Sequence, residues 1–208
     1  GLRIQRGETI TALAKEDNHW RLQSSTGRNP DRFDWVILTA PASQTAALAE
    51  AAPTLRALCA AREMKSCVAL MLGFDKAPCL PWQAALVRNA DISWISVNSS
   101  KPGRAKSCAL VVHSTNAWAD AHLDDDRDAI LSKMLSEASR VTSQDLAVAR
   151  HAEIHRWRFA NIDKQSGPNF FLDADMGLAA CGDWFIRGRI EASFRSAHTV
   201  AKEIESGL

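Results

Sequence analysis

The sequence predicts an α/β chain with mixed sheets, and three stretches carry that expectation. Residues 33–41, Phe-Asp-Trp-Val-Ile-Leu-Thr-Ala-Pro, centre on a continuous apolar and β-branched run. That is the pattern of a strand covered on both faces in a parallel sheet. Residues 177–204 read as a short apolar strand, a glycine-bearing turn and a helix. Between these two stretches, short apolar runs alternate with polar turns and alanine-rich segments. This order predicts a block of strands and helices inserted between two parts of one layer.

Taken in order, Leu2-Arg3-Ile4, Thr9–Leu13 and Trp20-Arg21-Leu22 are the predicted strands of a β-meander. Turns are expected at Arg6-Gly7-Glu8 and from Ser24 to Pro30. After Pro41, Ser43 is the expected cap of a helical stretch over 43–62, interrupted at Pro53. Further strands are predicted at Val68–Phe74, Ala84–Val87, Ile92–Val97 and Cys108–Ser114, and Lys101-Pro102-Gly103-Arg104 has turn composition. Asp124-Asp125-Asp126 precedes a helix carrying Ile130, Leu131, Met134, Leu135 and Ala138. Acidic residues there complement the helix dipole, so the run reads as a helix start rather than a metal site. Val148–Phe159 is predicted as one long strand, with His155, Trp157 and Phe159 on one face and Arg156 and Arg158 on the other. A polar loop over 161–169 follows.

The closing stretch runs Leu178-Ala179-Ala180-Cys181, then Gly182-Asp183-Trp184, then Gly188-Arg189-Ile190-Glu191 at the opening of a helix. Ile190, Phe194, Ala197, Ala201 and Ile204 recur at steps of four and three, which gives that helix an apolar face. A strand, a glycine turn and a helix start leave backbone N–H groups free, beside about half a positive charge. An acid just after such a strand can hold a sugar hydroxyl. The stretch is therefore a candidate cofactor contact, with an ordinary buried strand–turn–helix unit as the other reading.

The chain has 208 residues, 46% of them apolar, and a formal net charge of +1. That composition supports a sizeable core and argues against disorder. No basic stretch is interleaved with aromatics, so neither nucleic acid nor an anionic membrane surface is the expected partner. No apolar run approaches the roughly 20 residues of a membrane span. Five scattered cysteines, Cys59, Cys67, Cys79, Cys108 and Cys181, fit reduced thiols in a cytoplasm better than disulfides or a zinc site. No G-x-S-x-G is present for a serine hydrolase. His151 and His155 lack the spacing and companions of a metal pair. Gly177 and Gly182 have the spacing of a phosphate loop, but Asp183-Trp184 stands where Lys-Ser/Thr would be needed.

Gly182-Asp183-Trp184, Gly188-Arg189-Ile190-Glu191 and the small-residue helix after them resemble the C-terminal FAD-binding motif of the renalase and flavin amine oxidase superfamily. Residues 33–41, Leu80-Pro81-Trp82, residues 99–104 and residues 155–160 agree in the same order. Together they resemble the bacterial renalase-like, NAD/FAD-dependent oxidoreductases over nearly the whole chain. The resemblance implies a partial Rossmann-type FAD domain interleaved with a substrate domain of mixed or antiparallel sheet. Residues 1–42 and 166–208 would belong to the first, and 43–165 to the second.

It further implies that Gly182, Asp183 and Trp184, the backbone at Arg189, Ile190 and Glu191, and the segment Thr39-Ala40-Pro41 meet FAD. The substrate would lie over the flavin, between the two domains, with Trp157 as an aromatic wall beside His155; core packing is the alternative role for Trp157. Arg156 and Arg158 are either phosphate contacts of a dinucleotide substrate or salt-bridged arginines. The implied reaction passes hydride from a reduced nicotinamide-like compound, of NAD(P)H type, or from an amine to flavin, and then electrons to oxygen. No residue is assigned as catalytic. Two departures follow from the comparison. No G-x-G-x-x-G occurs in these 208 residues, so the sequence is expected to be a C-terminal portion, and a truncated remnant that binds no FAD is the alternative. Self-association through surface left by the missing part is expected. Ala192 and Ala197 stand where the resemblance implies glycine, and Arg195 where it implies leucine, so the Ala192 methyl is expected near the flavin ring.

Overall fold

Asp17 and Asn18 both adopt left-handed angles, with φ 48° and 65°. Such a two-residue turn matches the twist of the strands it joins, and it pairs β1 (Ile10–Glu16) with β2 (His19–Ser24) through Glu16 and His19. The computed structural model describes residues 3–29, 31–104 and 107–207, with the side chain of Arg28 left aside. The first expected strand is not formed at Arg3 and Ile4, and Leu2 lies outside the described residues, as does Pro30 at the end of the expected turn. β3 (Gly27–Arg28) completes a three-stranded meander. Trp20 is buried with Leu38, Leu178 and Trp184 from later elements, its indole N–H donating to the carbonyls of Met176 and Gly177 at 2.9 and 3.0 Å.

The apolar run at 33–41 contributes a shorter strand than its composition suggests. Only β4 (Val36–Leu38) has a ladder partner, and Phe33 makes an isolated bridge to Trp20. Ile37 is 47% exposed, so the expectation that both faces are covered fails on one side. Helix α1 (Ala42–Leu48) is entered from Pro41, and exposed Ser43 lies inside its first turn rather than capping it. Pro53 opens a separate helix, α2 (Pro53–Ala60), at the one helical position where its missing N–H costs nothing.

The chain then leaves this unit at Met64 and re-enters it at Ile162; Lys65–Asn161 form a second compact unit. In that second unit β5 (Lys65–Phe74), β6 (Ala84–Leu86), β7 (Ile92–Val97), β8 (Cys108–Ser114) and, later, β9 (His151–Asn161) make one antiparallel sheet in the order β6-β7-β8-β5-β9. α3 (Asn116–His122), a helix the sequence reading does not anticipate, is capped by Thr115, whose hydroxyl accepts from the Trp118 N–H at 3.2 Å. The acidic run does start α4 (Arg127–Thr142): Asp126 accepts from the N–H groups of Asp128 and Ala129 at 2.9 and 3.0 Å. Val68, Leu70, Leu72, Leu110, Val112 and Ile154 on one sheet face pack with Trp118, Ile130 and Met134 of the two helices. Val148 belongs to a short 3-10 turn, so β9 begins three residues later than predicted, at His151.

Back in the first unit, β10 (Phe171–Asp173) pairs antiparallel with β11 (Leu178–Ala180), and β11 pairs parallel with β4 in the register Ala180↔Leu38. Gly177 takes φ +62° where a Cβ would meet the Asp34 carbonyl oxygen at 2.2 Å, so this turn needs glycine. α5 (Ile190–Gly207) closes the chain. Its buried residues are Ala192, Ser196 and Val200; Val200 packs with Ala179 and Cys181 of the β11 stretch. Of the predicted apolar face, Ile190 and Phe194 are 92% and 64% exposed and Ala197 and Ala201 are exposed with them, and only Ile204 packs inward, with Val200.

Candidate functional site

Two regions hold the residues singled out by the sequence, one in each unit. In the first, parallel neighbours β4 and β11 end side by side, and the Cys181 N–H donates to the Leu38 carbonyl at 3.0 Å. Thr39-Ala40-Pro41 and Gly182-Asp183-Trp184 therefore leave the sheet together at the carboxyl ends of its parallel strands. That is where open α/β sheets bind ligands. The two segments are tied to each other: the Ala40 carbonyl accepts the Trp184 indole N–H at 3.1 Å and the Thr45 hydroxyl at 2.9 Å. Trp184 is buried and stacks on Phe185 with ring centres 3.9 Å apart. Its ring is core, so Trp184 can face a ligand only through its backbone.

Gly182 is held from behind. Its N–H donates to the Ser196 hydroxyl at 3.0 Å, and that hydroxyl donates to the Asn169 carbonyl at 2.6 Å. Ser196 sits on the inward side of α5, so the helix and the turn are fixed to one another. Asp183 is half-buried; burial raises its carboxyl above the ordinary value, and the backbone N–H groups of Trp184 and Asp183 oppose the shift. A desolvated carboxylate with spare acceptor capacity suits a ligand hydroxyl. At the helix start the Arg189 carbonyl accepts from the N–H groups of Ala192 and Ser193 at 3.0 and 3.2 Å. The first-turn amides of Ile190 and Glu191 have no intrahelical acceptor, and Arg189, Ile190 and Glu191 are all exposed. A half-buried acid and exposed first-turn amides are the kind of groups that accept from hydroxyls and attract electron-rich oxygens. Ala192 is turned inward and buried, which corrects the expectation that its methyl approaches a flavin; Arg195 is exposed.

In the second unit the helices cover one sheet face and leave the other open. His155 and Trp157 lie on the open face of β9, their rings 4.2 Å apart, and Trp157 is 53% exposed, so it is not core. Arg156 projects to the helix side, donating to the carbonyls of Leu123 and Asp125 at 3.0 and 3.3 Å, and Arg158 pairs with Asp124. Both arginines are engaged in holding the α3–α4 connection, which leaves the phosphate role without support. A bulge pairs Cys67 with Trp157 but Lys65 with Asn161, so the alternation that would align Phe159 with Trp157 is broken. Residues that sequence reasoning missed share this face. Cross-strand register aligns Leu86, Trp94, His113, Ala69 and His155 in one row across all five strands. Alternation along single strands marks these positions, but only the register shows that they meet. Burial, with the nearby Lys101 charge, lowers the His113 basicity below its ordinary value.

Among the described residues no cluster of His, Cys, Asp or Glu could hold a metal, and no helix is long and apolar enough to cross a membrane. All five cysteines are free thiols.

The fold is shared with larger proteins of known structure. A putative protoporphyrinogen oxidase from Exiguobacterium sp. 255-15 superposes with a TM-score of 0.74 at 18% identity, over 97% of this chain and 47% of that one. An oxidoreductase from Methanosarcina mazei gives 0.63 at 13% identity over 94% and 49% of the two chains. Cyclohexylamine oxidase from Brevibacterium oxydans IH-35A gives 0.62 at 13% identity over 95% and 48%. The chain thus spans about half the length of the solved structures it matches. Residues 1–204 match the family described as flavin containing amine oxidoreductase. With the paired strand ends, the half-buried acid and the open helix mouth already in place, the chain belongs to the flavin-containing amine oxidoreductase family.

Proposed function

We propose that this chain carries cofactor-holding and substrate-facing parts of an FAD-dependent oxidoreductase that oxidises a hydride donor and returns the electrons to oxygen. When bound, FAD supplies the two-electron acceptor. Asp183 would accept hydrogen bonds from the sugar or ribityl hydroxyls, and Thr39-Ala40-Pro41 would line the cofactor with backbone. The N–H groups of Ile190 and Glu191, at the positive end of α5, would favour negative charge on the ring edge. Hydride transfer depends on orientation and water exclusion more than on an acid or base. Trp157, with His155 stacked against it, would supply an apolar wall for the donor.

The observation that carries this reading is the joint exit of Thr39–Pro41 and Gly182–Asp183 at the ends of two parallel strands, beside an open helix start. The family description favours an amine as the donor, and the residue resemblance favours a reduced nicotinamide-like compound, the finer renalase-type reading. The test is the flavin content of the purified full-length gene product. A flavin absorbance band that Asp183→Ala diminishes supports the assignment. A colourless protein that gains no band on adding FAD instead supports a fold retained without its cofactor, and unchanged flavin stoichiometry in the variant removes Asp183 from the site.

A further inference from the structure

One backbone oxygen joins the two segments that leave the parallel strands together. The Ala40 carbonyl accepts from the Thr45 hydroxyl at 2.9 Å and from the Trp184 indole N–H at 3.1 Å. A carbonyl oxygen has two lone pairs, so this one is fully engaged. Both donors are buried, Thr45 at 0% exposed and Trp184 at 1%. They come from different elements: Thr45 from α1, and Trp184 from the turn that follows β11. Thr45 also donates its backbone N–H to the Pro41 carbonyl at 2.8 Å. A single residue thus holds two consecutive carbonyls of the Thr39–Pro41 segment.

The Thr45 hydroxyl bond is not the usual one for a threonine inside a helix. Such hydroxyls ordinarily return to a carbonyl three or four residues back in the same helix. Ser139, Thr142 and Thr199 do so, donating to the carbonyls of Leu135, Ala138 and Arg195 at 2.9, 2.7 and 2.9 Å. Thr45 instead reaches Ala40, which lies before α1 and outside it. Valine has nearly the same branched shape, so packing does not call for the hydroxyl. The tie also decides what the segment can offer a ligand. With its oxygen engaged, Ala40 has no spare acceptor, and the exposed member of the segment is Thr39.

We propose that Thr45 is a positioning residue for the flavin: by tying the Ala40 carbonyl to α1, it holds Thr39–Pro41 in one conformation for the cofactor. This rests on the reading that FAD sits at the ends of the parallel strands. Without the hydroxyl the segment keeps only the Trp184 tie, and the cofactor must order it on binding, which weakens affinity. The two donors share one acceptor. Removing either leaves the oxygen with a partner, whereas removing both leaves it facing apolar side chains. The two losses therefore compound rather than add.

The test measures the flavin dissociation constant of the full-length protein by titrating FAD into flavin-free samples, with urea unfolding of the same samples beside it. Thr45→Val is expected to weaken flavin binding about fivefold, as the loss of one hydrogen bond does. Thr45→Ser, which keeps the hydroxyl, is expected to restore most of the binding. Thr45→Ala also lacks the hydroxyl and takes the place of Thr45→Val if the valine cannot be accommodated. Thr142→Val, the same exchange at a hydroxyl bonded within α4, is expected to leave flavin binding unchanged. In flavin-free protein, Thr45→Val combined with Trp184→Phe is expected to lower the unfolding midpoint by more than the sum of the single shifts. Full flavin affinity in folded Thr45→Val, a loss in Thr45→Ser as large as that in Thr45→Val, or strict additivity in the flavin-free pair would each overturn the inference. Wild-type protein that takes up no flavin would overturn the cofactor reading and the inference with it. That outcome is distinct from flavin held in full by Thr45→Val, which overturns the inference alone.

Discussion

Replacing Gly182 by alanine probes the joint on which the cofactor end of the first unit depends. The backbone there is extended, with φ 161°, so the substitution carries no left-handed strain. Its cost is steric: a Cβ at this position would lie 2.8 Å from Nε1 and 2.9 Å from Cδ1 of Trp184. The indole cannot simply withdraw, because it is buried, stacked on Phe185 and bonded through Nε1 to the Ala40 carbonyl at 3.1 Å. Overpacking of a filled core costs about 1–3 kcal/mol. A buried N–H forced off its acceptor costs about 1–3 kcal/mol. The ring either stays and is compressed or moves and loses its bond, so about 1–3 kcal/mol is expected. With a urea dependence of about 2–3 kcal/mol per molar, the unfolding midpoint falls by about 0.5–1 M.

Urea titration followed by far-UV circular dichroism reads this shift directly, on protein stripped of flavin. Trp184→Phe removes the atoms that the new methyl meets. The double variant should therefore cost less than the sum of the singles by about 1 kcal/mol. A midpoint that moves by less than about 0.2 M, or strict additivity in the cycle, would show that the Gly182–Trp184 contact does not hold the two strand ends together.

Three further outcomes follow from the same geometry. Burial raises the Asp183 carboxyl, so the folded state keeps its proton to higher pH than the unfolded chain does, and the group favours folding at acid pH but loses that contribution as pH rises through the raised value. Asp183→Asn in flavin-free protein should thus match the wild type in acid and exceed its stability at neutral pH, and a stability difference that is flat across the titration refutes the assigned burial. Cys59 is pushed up to about 11 by burial, while Cys79 is exposed, so alkylation at mildly alkaline pH should label Cys79 first and Cys59 last by mass spectrometry of peptides. On α5, Val200→Ala should cost about 1–3 kcal/mol, whereas Phe194→Ser should cost under about 0.5 kcal/mol; equal thermal shifts for the two would reverse the inward and outward sides assigned to the helix.

The closing unit was legible because its signals are local. An apolar triplet, a glycine, an acid and a helix start are neighbours in sequence, and nothing elsewhere in the chain changes what they form. The orientation of α5 was not legible by the same route. Its inward residues are Ala192, Ser196 and Val200, of which only valine is strongly apolar, so periodicity followed the larger Ile190 and Phe194 to the wrong side. The run at 33–41 was read as longer and more enclosed than it is, because strand length follows the partner: β11 offers three residues, and the ladder ends with them. Arg156 and Arg158 could be placed on one face from alternation, but their partners Leu123, Asp124 and Asp125 lie some thirty residues upstream. Trp94 and His113 escaped for a related reason. Alternation along one strand gives two faces without saying which is open, and only the five-strand register sets them in line with His155.

A last consequence concerns the girth of the residues beneath α5. A helix whose underside is alanine, serine and valine can ride close to the strand below it, and its altitude is then set by one methyl at Ala192 and one hydroxyl at Ser196. Widening either would lift the mouth of the helix and re-aim the amides of Ile190 and Glu191. A displacement of about an ångström is enough to spoil such alignment. Grip on a cofactor would then be governed by side chains that never touch it, and changes there would register as weaker flavin retention in a fold that is otherwise intact.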